Sequence, residues 1–312
     1  MDPLITFIVP CHNSGKYLGD CLTSIFGQPL IVEFEVLVID DASTDNTHEI
    51  ARMFSDHRTR LIRHTTKQGP TRTFNEAIKE ARGNFIARID PRDRYRPNFL
   101  ITTLQILRDN AECAVAYGDV ALMNEQGQFT QSRSDQEHNG RDFKGNEFLR
   151  LLQRNFISGS TVLGRTEAWR KALPLPEGLS FPEWYCAIQM ARHTDFYYVN
   201  QAVADHRVAD APPVSHLKVE ETSVFWILNQ VFNQTEVNYE LQRAKQKARS
   251  KIYALQYRSF GDRYLASGMY SDARRCYFRA LTAHPLSIKI DMLRRMYVAF
   301  SGAKSGSSFP IR

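Results

Sequence analysis

Along the first hundred residues, short apolar β-branched runs alternate with stretches of helical period. LITFIV (4–9), FEVLVID (34–40), LIRH (61–64) and NFIARID (84–90) read as strands, and segments starting near Lys16, Asn46 and Pro70 read as helices between them. That alternation predicts a parallel sheet with crossover helices. In such a sheet a ligand lies beyond the carboxyl ends of the strands, and there this chain turns polar. Pro10-Cys11-His12-Asn13 follows the first run, Asp40-Asp41-Ala42-Ser43-Thr44-Asp45 closes the second, and Asp90-Pro91-Arg92-Asp93 ends the fourth.

Beyond residue 112 the pattern is mixed, with strands expected at 113–117, 160–163 and 196–199 and helices around 145–153 and 183–192. Residues 124–142 are polar and turn-rich, which predicts a loop, and VADAPPVSH (208–216) reads as a linker. From 217 to about 300 the period is helical. Residues 254–286 resemble one tetratricopeptide-like hairpin, with small residues at packing positions and a proline after the second helix. A single such unit needs a neighbour to pack on. Residues 301–312 read as a flexible tail.

No apolar run approaches the roughly 20 residues that span a bilayer. The N-terminal run is short, β-branched and preceded by an acid, unlike a secretory leader, so a cytoplasmic location is expected. The five cysteines (Cys11, Cys21, Cys113, Cys186, Cys276) form no CxxC pair or metal-ligand spacing and are expected to be reduced and packed. The net charge of +6 is uneven: residues 243–295 carry +10 and the remainder −4. Such a basic segment suits an anionic surface or acidic partner, or is a solvated helical face.

The aspartates at the second strand end admit two readings. Asp45 or Thr44 caps the following helix while Asp41 holds the turn, or a carboxylate there accepts hydrogen bonds from a nucleotide lying across the sheet. FIVPCHN, CLTSIFGQ, EVLVIDDASTDNT and NEAIKEARGNFIARID, at these spacings, resemble a family 2 glycosyltransferase. The resemblance covers about residues 4–100 closely and 101–207 more loosely. It implies an α/β GT-A fold, with a Rossmann-like, mostly parallel central sheet, over residues 1–207 and an α-helical C-terminal extension. The donor half would be about 1–110 and the acceptor half about 111–207.

The resemblance also implies roles for matching residues. Pro10, His12 and Asn13 would lie against the donor nucleotide, and Asp41, with Asp40 beside it, would bond the pyrimidine. Arg72, on the turn into a helix, would meet phosphate or base, or is an exposed helix cation. Asp90 opens the segment where the family carries Asp-x-Asp, whose carboxylates hold Mg²⁺ or Mn²⁺ against the donor diphosphate. This chain departs from that pattern, because Arg92 stands where the second metal-binding carboxylate is usual. Three alternatives follow: Asp90 and Asp93 still hold the metal, Arg92 or Arg94 supplies charge to the diphosphate directly, or the site has decayed. Glu183 aligns with the family's general base at a helix start, preceded by Pro182 in place of an acid, although an acid in a first helical turn also stabilises the helix dipole. His206 and Arg207 match an element near the diphosphate whose usual final histidine is Ala209 in this chain. Trp184 and Tyr185 serve as core aromatics or as a stacking platform.

The implied activity is transfer of a sugar from a UDP-, GDP- or dTDP-sugar to a glycan, lipid-linked or protein acceptor, with inversion, in bacterial surface polysaccharide or glycoconjugate synthesis. Basic helices carrying Arg274, Arg275, Arg279, Lys289, Arg294 and Arg295, with Tyr277, Phe278 and Tyr297 nearby, are expected to meet an anionic inner leaflet or a protein partner. No nucleic acid is expected. The rival reading is a non-catalytic scaffold of the same fold, suggested by Pro91-Arg92, Pro182 and Ala209. A dinucleotide oxidoreductase is disfavoured, since no G-x-G-x-x-G follows the first strand.

Overall fold

The computed structural model describes residues 4–29, 32–133, 138–208, 215–285 and 290–301. The chain divides into two compact units, one of residues 1–151 and 155–210, the other of 152–154 and 211–312.

The first unit begins with the expected alternation: β1 (Ile5–Cys11), α1 (Gly15–Phe26), β2 (Phe34–Asp40), α2 (Thr47–Met53), β3 (Thr59–Arg63), α3 (Pro70–Glu80) and β4 (Phe85–Arg88). It continues through β5 (Arg94–Tyr95), α4 (Phe99–Asp109), β6 (Cys113–Met123), β7 (Phe129–Gln131), β8 (Phe143–Gly145) and α5 (Phe148–Gln153). A 3₁₀ turn (Gly159–Thr161) leads to β9 (Leu163–Arg165), α6 (Thr166–Lys171), α7 (Pro182–Ala191) and β10 (Asp195–Arg207).

Among the described residues these strands form one mixed, mostly parallel sheet in the order β3-β2-β1-β4-β9-β6-β10-β5, with β7 added to β6 and β8 to β10. β1 pairs in parallel with β2 and β4, and β10 in parallel with β6. β9 runs antiparallel between β4 and β6, joining the two halves. β1 and β2 are buried almost throughout, as strands covered on both faces must be. Phe7, Val9, Leu18, Leu22, Val36, Val38 and Leu104 belong to the resulting core. At Gly83 an added Cβ would lie 2.5 Å from the Thr6 amide nitrogen, so only glycine lets the chain enter β4 against β1.

The strand expected at 160–163 is instead a 3₁₀ turn with β9 beginning at Leu163, where the Ser160 hydroxyl is engaged by the distant Asp90 amide and Asp93 carboxylate and the Thr161 hydroxyl donates to the Ser158 carbonyl. β6 and β10 run further than expected, to Met123 and Arg207. Their carboxyl ends thereby reach the same rim as β1, β2 and β4.

The second unit is helical: α8 (Ser215–Asn233), α9 (Tyr239–Ala266), α10 (Tyr270–Ala283) and α11 (Ile290–Ser301). α9 and α10 form the expected hairpin. Gly261 lets them approach, since a Cβ there would meet the Tyr277 ring at 2.8 Å. Tyr277 is consequently fully buried, with its hydroxyl donating to Asp262 at 2.7 Å, and does not belong to the exposed face expected for it. Arg275 and Arg295 are likewise committed, to Glu221 at 2.6 Å and Asp262 at 2.7 Å. Lys289, residues 209–214, which include Ala209 and most of the expected linker, and residues 302–312 lie outside the described residues. None of the described helices is long and apolar enough to cross a membrane.

Candidate active site

The loops after β1 and β2 are tied to each other. The Asn13 amide donates to Ser43 Oγ at 2.9 Å, the Thr44 amide to Asn13 Oδ1 at 2.9 Å, and His12 Nδ1 lies 2.9 Å from the Asp41 carbonyl. Asn13 adopts φ 52°, a left-handed conformation asparagine tolerates better than most residues. His12 and Asn13 are exposed and Pro10 half-buried, so this stretch presents polar atoms to solvent at the head of the sheet.

Asp40 and Asp41 point inward. Asp40 is fully buried and accepts the Ser43 amide at 2.9 Å, which makes it the holder of the turn. Asp41 accepts the Gln68 and Gly69 amides at 2.7 and 2.8 Å and bonds His64 Nδ1 at 2.7 Å. Burial opposes ionisation of Asp41, but these hydrogen bonds outweigh it and hold the carboxyl below its usual range. His64 shows the converse: burial would lower it, yet its bonds to Asp41 and Glu76 raise it. Arg72 lines a cleft of about 860 Å³ together with His64, Gln68 and Asn75, and pairs with Glu177 at 3.0 Å.

A second network sits at the ends of β4 and β10. Ser160 Oγ donates to Asp93 Oδ2 at 2.6 Å while accepting the Asp90 amide at 3.1 Å. Asp93 also accepts the Arg207 amide at 3.0 Å and bonds His206 Nδ1 at 3.1 Å. Its side chain is only 2% exposed. The hydrogen bond to Asp93 raises the His206 pKa, and burial raises that of Asp90, against the pull of Arg88. Arg207, expected at the diphosphate, is buried beneath the rim and donates to the carbonyls of Arg92, Asn124 and Glu125 at 2.9–3.2 Å. Its Nε and Nη1 are spent on these carbonyls and its Nη2 lies 3.9 Å from Asp20 Oδ2, so it braces the loops that carry Arg92 and Glu125.

Glu183 occupies the first turn of α7, and Arg88 Nη2 reaches its Oε1 at 2.7 Å. Burial alone would lower the Arg88 pKa, but the charges of Glu183, Asp90 and Asp93 raise it. Gly159 is the space-maker: a Cβ there would lie 3.0 Å from Arg88 Nη1 and 3.5 Å from Glu183 Cγ. Trp184 and Tyr185 are core aromatics, with Trp184 Nε1 bonded to the Leu151 carbonyl at 2.8 Å.

Arg92 pairs with Glu125 and stacks over the Tyr17 ring at 5.3 Å. Glu125 also accepts the Tyr17 hydroxyl and meets Lys16 Nζ at 3.2 Å. Arg88, Ser160 and this Lys16–Tyr17–Glu125 group went unread in the sequence. Arg88 alone left a signal, an arginine inside an otherwise apolar strand.

The residues at the Asp-x-Asp position do not fit a divalent ion. A hard cation needs several oxygen ligands, yet Arg92 holds the second ligand position and Asp93 is already engaged by Ser160, His206 and the Arg207 amide. Among the described residues no three His, Cys, Asp or Glu side chains are grouped to hold a metal. The expectation that Asp90 and Asp93 bind Mn²⁺ or Mg²⁺ therefore lacks a matching donor set.

A mostly parallel mixed sheet whose polar strand ends gather carboxylates and arginines defines a GT-A fold with a site on its carboxyl rim. The chain belongs to glycosyl transferase family 2, whose family model matches residues 6–172. Glycosyltransferase GlyG of Streptococcus pneumoniae serotype 4 is 35% identical over 111 residues, covering 35% of this chain and 36% of GlyG. Poly(ribitol-phosphate) β-N-acetylglucosaminyltransferase TarS of Staphylococcus aureus is 28% identical over 182 residues, covering 56% of this chain and 29% of TarS. The chain thus matches about a third of the length of these relatives. The crystal structure of TarS residues 1–349 with UDP-GlcNAc superposes with a TM-score of 0.68 at 17% identity, over 96% of this chain and 87% of that one. The mannosyltransferase PcManGT of Pyrobaculum calidifontis, with GDP-Man and Mn²⁺, superposes with a TM-score of 0.63 at 14% identity, over 97% and 85%. These similarities establish the shared fold.

Proposed function

We propose that the chain transfers a sugar from a nucleotide-sugar donor to a hydroxyl of a glycan, lipid-linked or protein acceptor, with inversion, in the assembly of a bacterial surface polysaccharide or glycoconjugate. Residues 1–207 are the catalytic domain in this reading and 217–300 a helical extension. Family membership supports the reaction class, and the activity named for TarS, on a poly(ribitol-phosphate) acceptor, supports the setting.

The observation that carries the reading is Glu183, held 2.7 Å from Arg88 on the rim that also bears Asp90. In a single displacement the acceptor oxygen forms a bond to the anomeric carbon as the bond to the diphosphate oxygen breaks. The acceptor proton passes to Glu183, and the electron pair leaves with the nucleoside diphosphate. Arg88 is the positioning residue that fixes the carboxylate, because an ion pair of this kind restricts the acid to one orientation. His12 and Asn13 offer polar contacts to the nucleotide, and Asp41 orders loop 64–69, which borders the base.

Single-turnover transfer with product configuration read by NMR tests this. An α-linked donor gives a β-linked product, and Glu183→Gln loses transfer by about a hundredfold or more. A retained configuration, or a fully active variant, contradicts the mechanism.

On the second unit, Phe278, Leu293, Tyr297 and Phe300 are exposed on α10 and α11, which also carry Arg274, Arg279 and Arg294, with Arg274 over the Phe300 ring at 5.6 Å. Aromatic and basic residues mixed in this way favour peripheral association with an anionic inner leaflet. Co-sedimentation with anionic but not zwitterionic vesicles is the expected result.

A further inference from the structure

The metal that the family pattern implies finds no donor set, and a different cation occupies its position. The Arg92 backbone is fixed on both sides of its Cα, with its amide donating to Asp90 Oδ1 at 3.0 Å and its carbonyl accepting from Arg207 Nε at 3.2 Å. From there its guanidinium reaches the carboxylate of Glu125, where Lys16 Nζ and the Tyr17 hydroxyl also converge. Two cations and a hydroxyl around one carboxylate constitute an anion site whose present occupant is an acid of the same chain. Glu125 lies on a turn closed by the Asn124 amide donating to the Gln128 carbonyl at 2.9 Å, with Gly127 at φ 79°. Its side chain is 26% exposed, so it can leave for water without disturbing the sheet.

We propose that Arg92, with Lys16 beside it, takes the diphosphate of the nucleotide-sugar donor in place of a divalent ion, and that Glu125 is the internal anion the diphosphate displaces. Together the two side chains carry the charge of one divalent ion. A guanidinium offers paired N–H donors that match phosphate oxygens, and its charge needs no deprotonated ligands to hold it. Asp90 keeps a role in this arrangement by holding the Arg92 amide. The inference rests on the glycosyl-transfer reading above and narrows it to metal-independent donor binding.

Calorimetric titration of the full chain with UDP, GDP and dTDP, and with the matching monophosphates, in EDTA and in Mn²⁺, tests it. The preferred diphosphate is expected to bind with affinities within about twofold in the two conditions. Arg92→Ala weakens the diphosphate about tenfold or more, and the monophosphate much less, with an unchanged melting temperature. Glu125→Gln tightens the diphosphate severalfold by removing its competitor. Arg92→Asp, which recreates Asp-x-Asp, binds the diphosphate only with Mn²⁺. Wild-type binding abolished by EDTA, or an Arg92→Ala variant that binds like wild type, overturns this inference and leaves the glycosyl-transfer reading standing. Failure to bind any nucleotide in either condition overturns both.

Discussion

Arg88 Nη2 and Glu183 Oε1 are 2.7 Å apart, joining the end of the fourth strand to the first turn of α7. Removing the arginine leaves the carboxylate without its orienting partner. Arg88→Ala is expected to lower kcat about 10–100-fold with a small change in donor KM, and Arg88→Lys to recover part of the loss. A rise in donor KM at constant kcat would assign Arg88 to donor binding instead.

Ser160, itself buried, bridges the amide of half-buried Asp90 and the buried carboxylate of Asp93. Ser160→Ala removes the acceptor of the Asp90 amide and one of the donors to Asp93, which costs about 1–3 kcal/mol of stability in urea unfolding. A variant as stable as wild type would mean that the network reforms without the hydroxyl.

The strand-helix alternation of the first half was legible because apolar runs and helical periods are local signals, and the strand-end polar segments marked the rim. What escaped depended on distant partners. Ser160 reads as strand from its neighbours, but its hydroxyl is claimed by residues about 70 positions away. Arg207 reads as a phosphate ligand by position, yet the extension of β10 turns it under the rim to brace the Glu125 loop. Tyr277 looks like a surface aromatic until Gly261 opens the space that buries it. Arg92 was visible as a departure from the family pattern, whereas its pairing with Glu125 required the fold.

The His64–Asp41 pair predicts a stability window. The His64 pKa is raised above its ordinary 6.5, so its contribution is fully present below that pH and fades as pH rises through the folded value. The Asp41 pKa is lowered from 3.8, so its contribution is present above that pH and fades as pH falls through the depressed value. Urea unfolding of His64→Gln against wild type should show a deficit of about 1–2 kcal/mol near pH 5.5 that shrinks toward pH 9. An equal deficit at both ends would assign the effect to packing.

All five cysteines are buried and unpaired. Burial pushes the thiols of Cys11, Cys21, Cys113 and Cys186 up, and that of Cys276 up to about 12. A thiolate reagent at pH 8 should therefore label almost none of them in the native protein and all of them in denaturant. Rapid native labelling would point to local opening of the strand or helix that carries the reactive residue.

The most direct test of the central claim is hydrolysis and melting of the purified chain with UDP-, GDP- and dTDP-sugars, beside Glu183→Gln. Sugars of one nucleotide class are expected to raise the melting temperature of both proteins, while slow donor hydrolysis appears in wild type and is lost in the variant. No stabilisation by any donor, with or without Mn²⁺, would contradict it and favour a scaffold built on a glycosyltransferase fold.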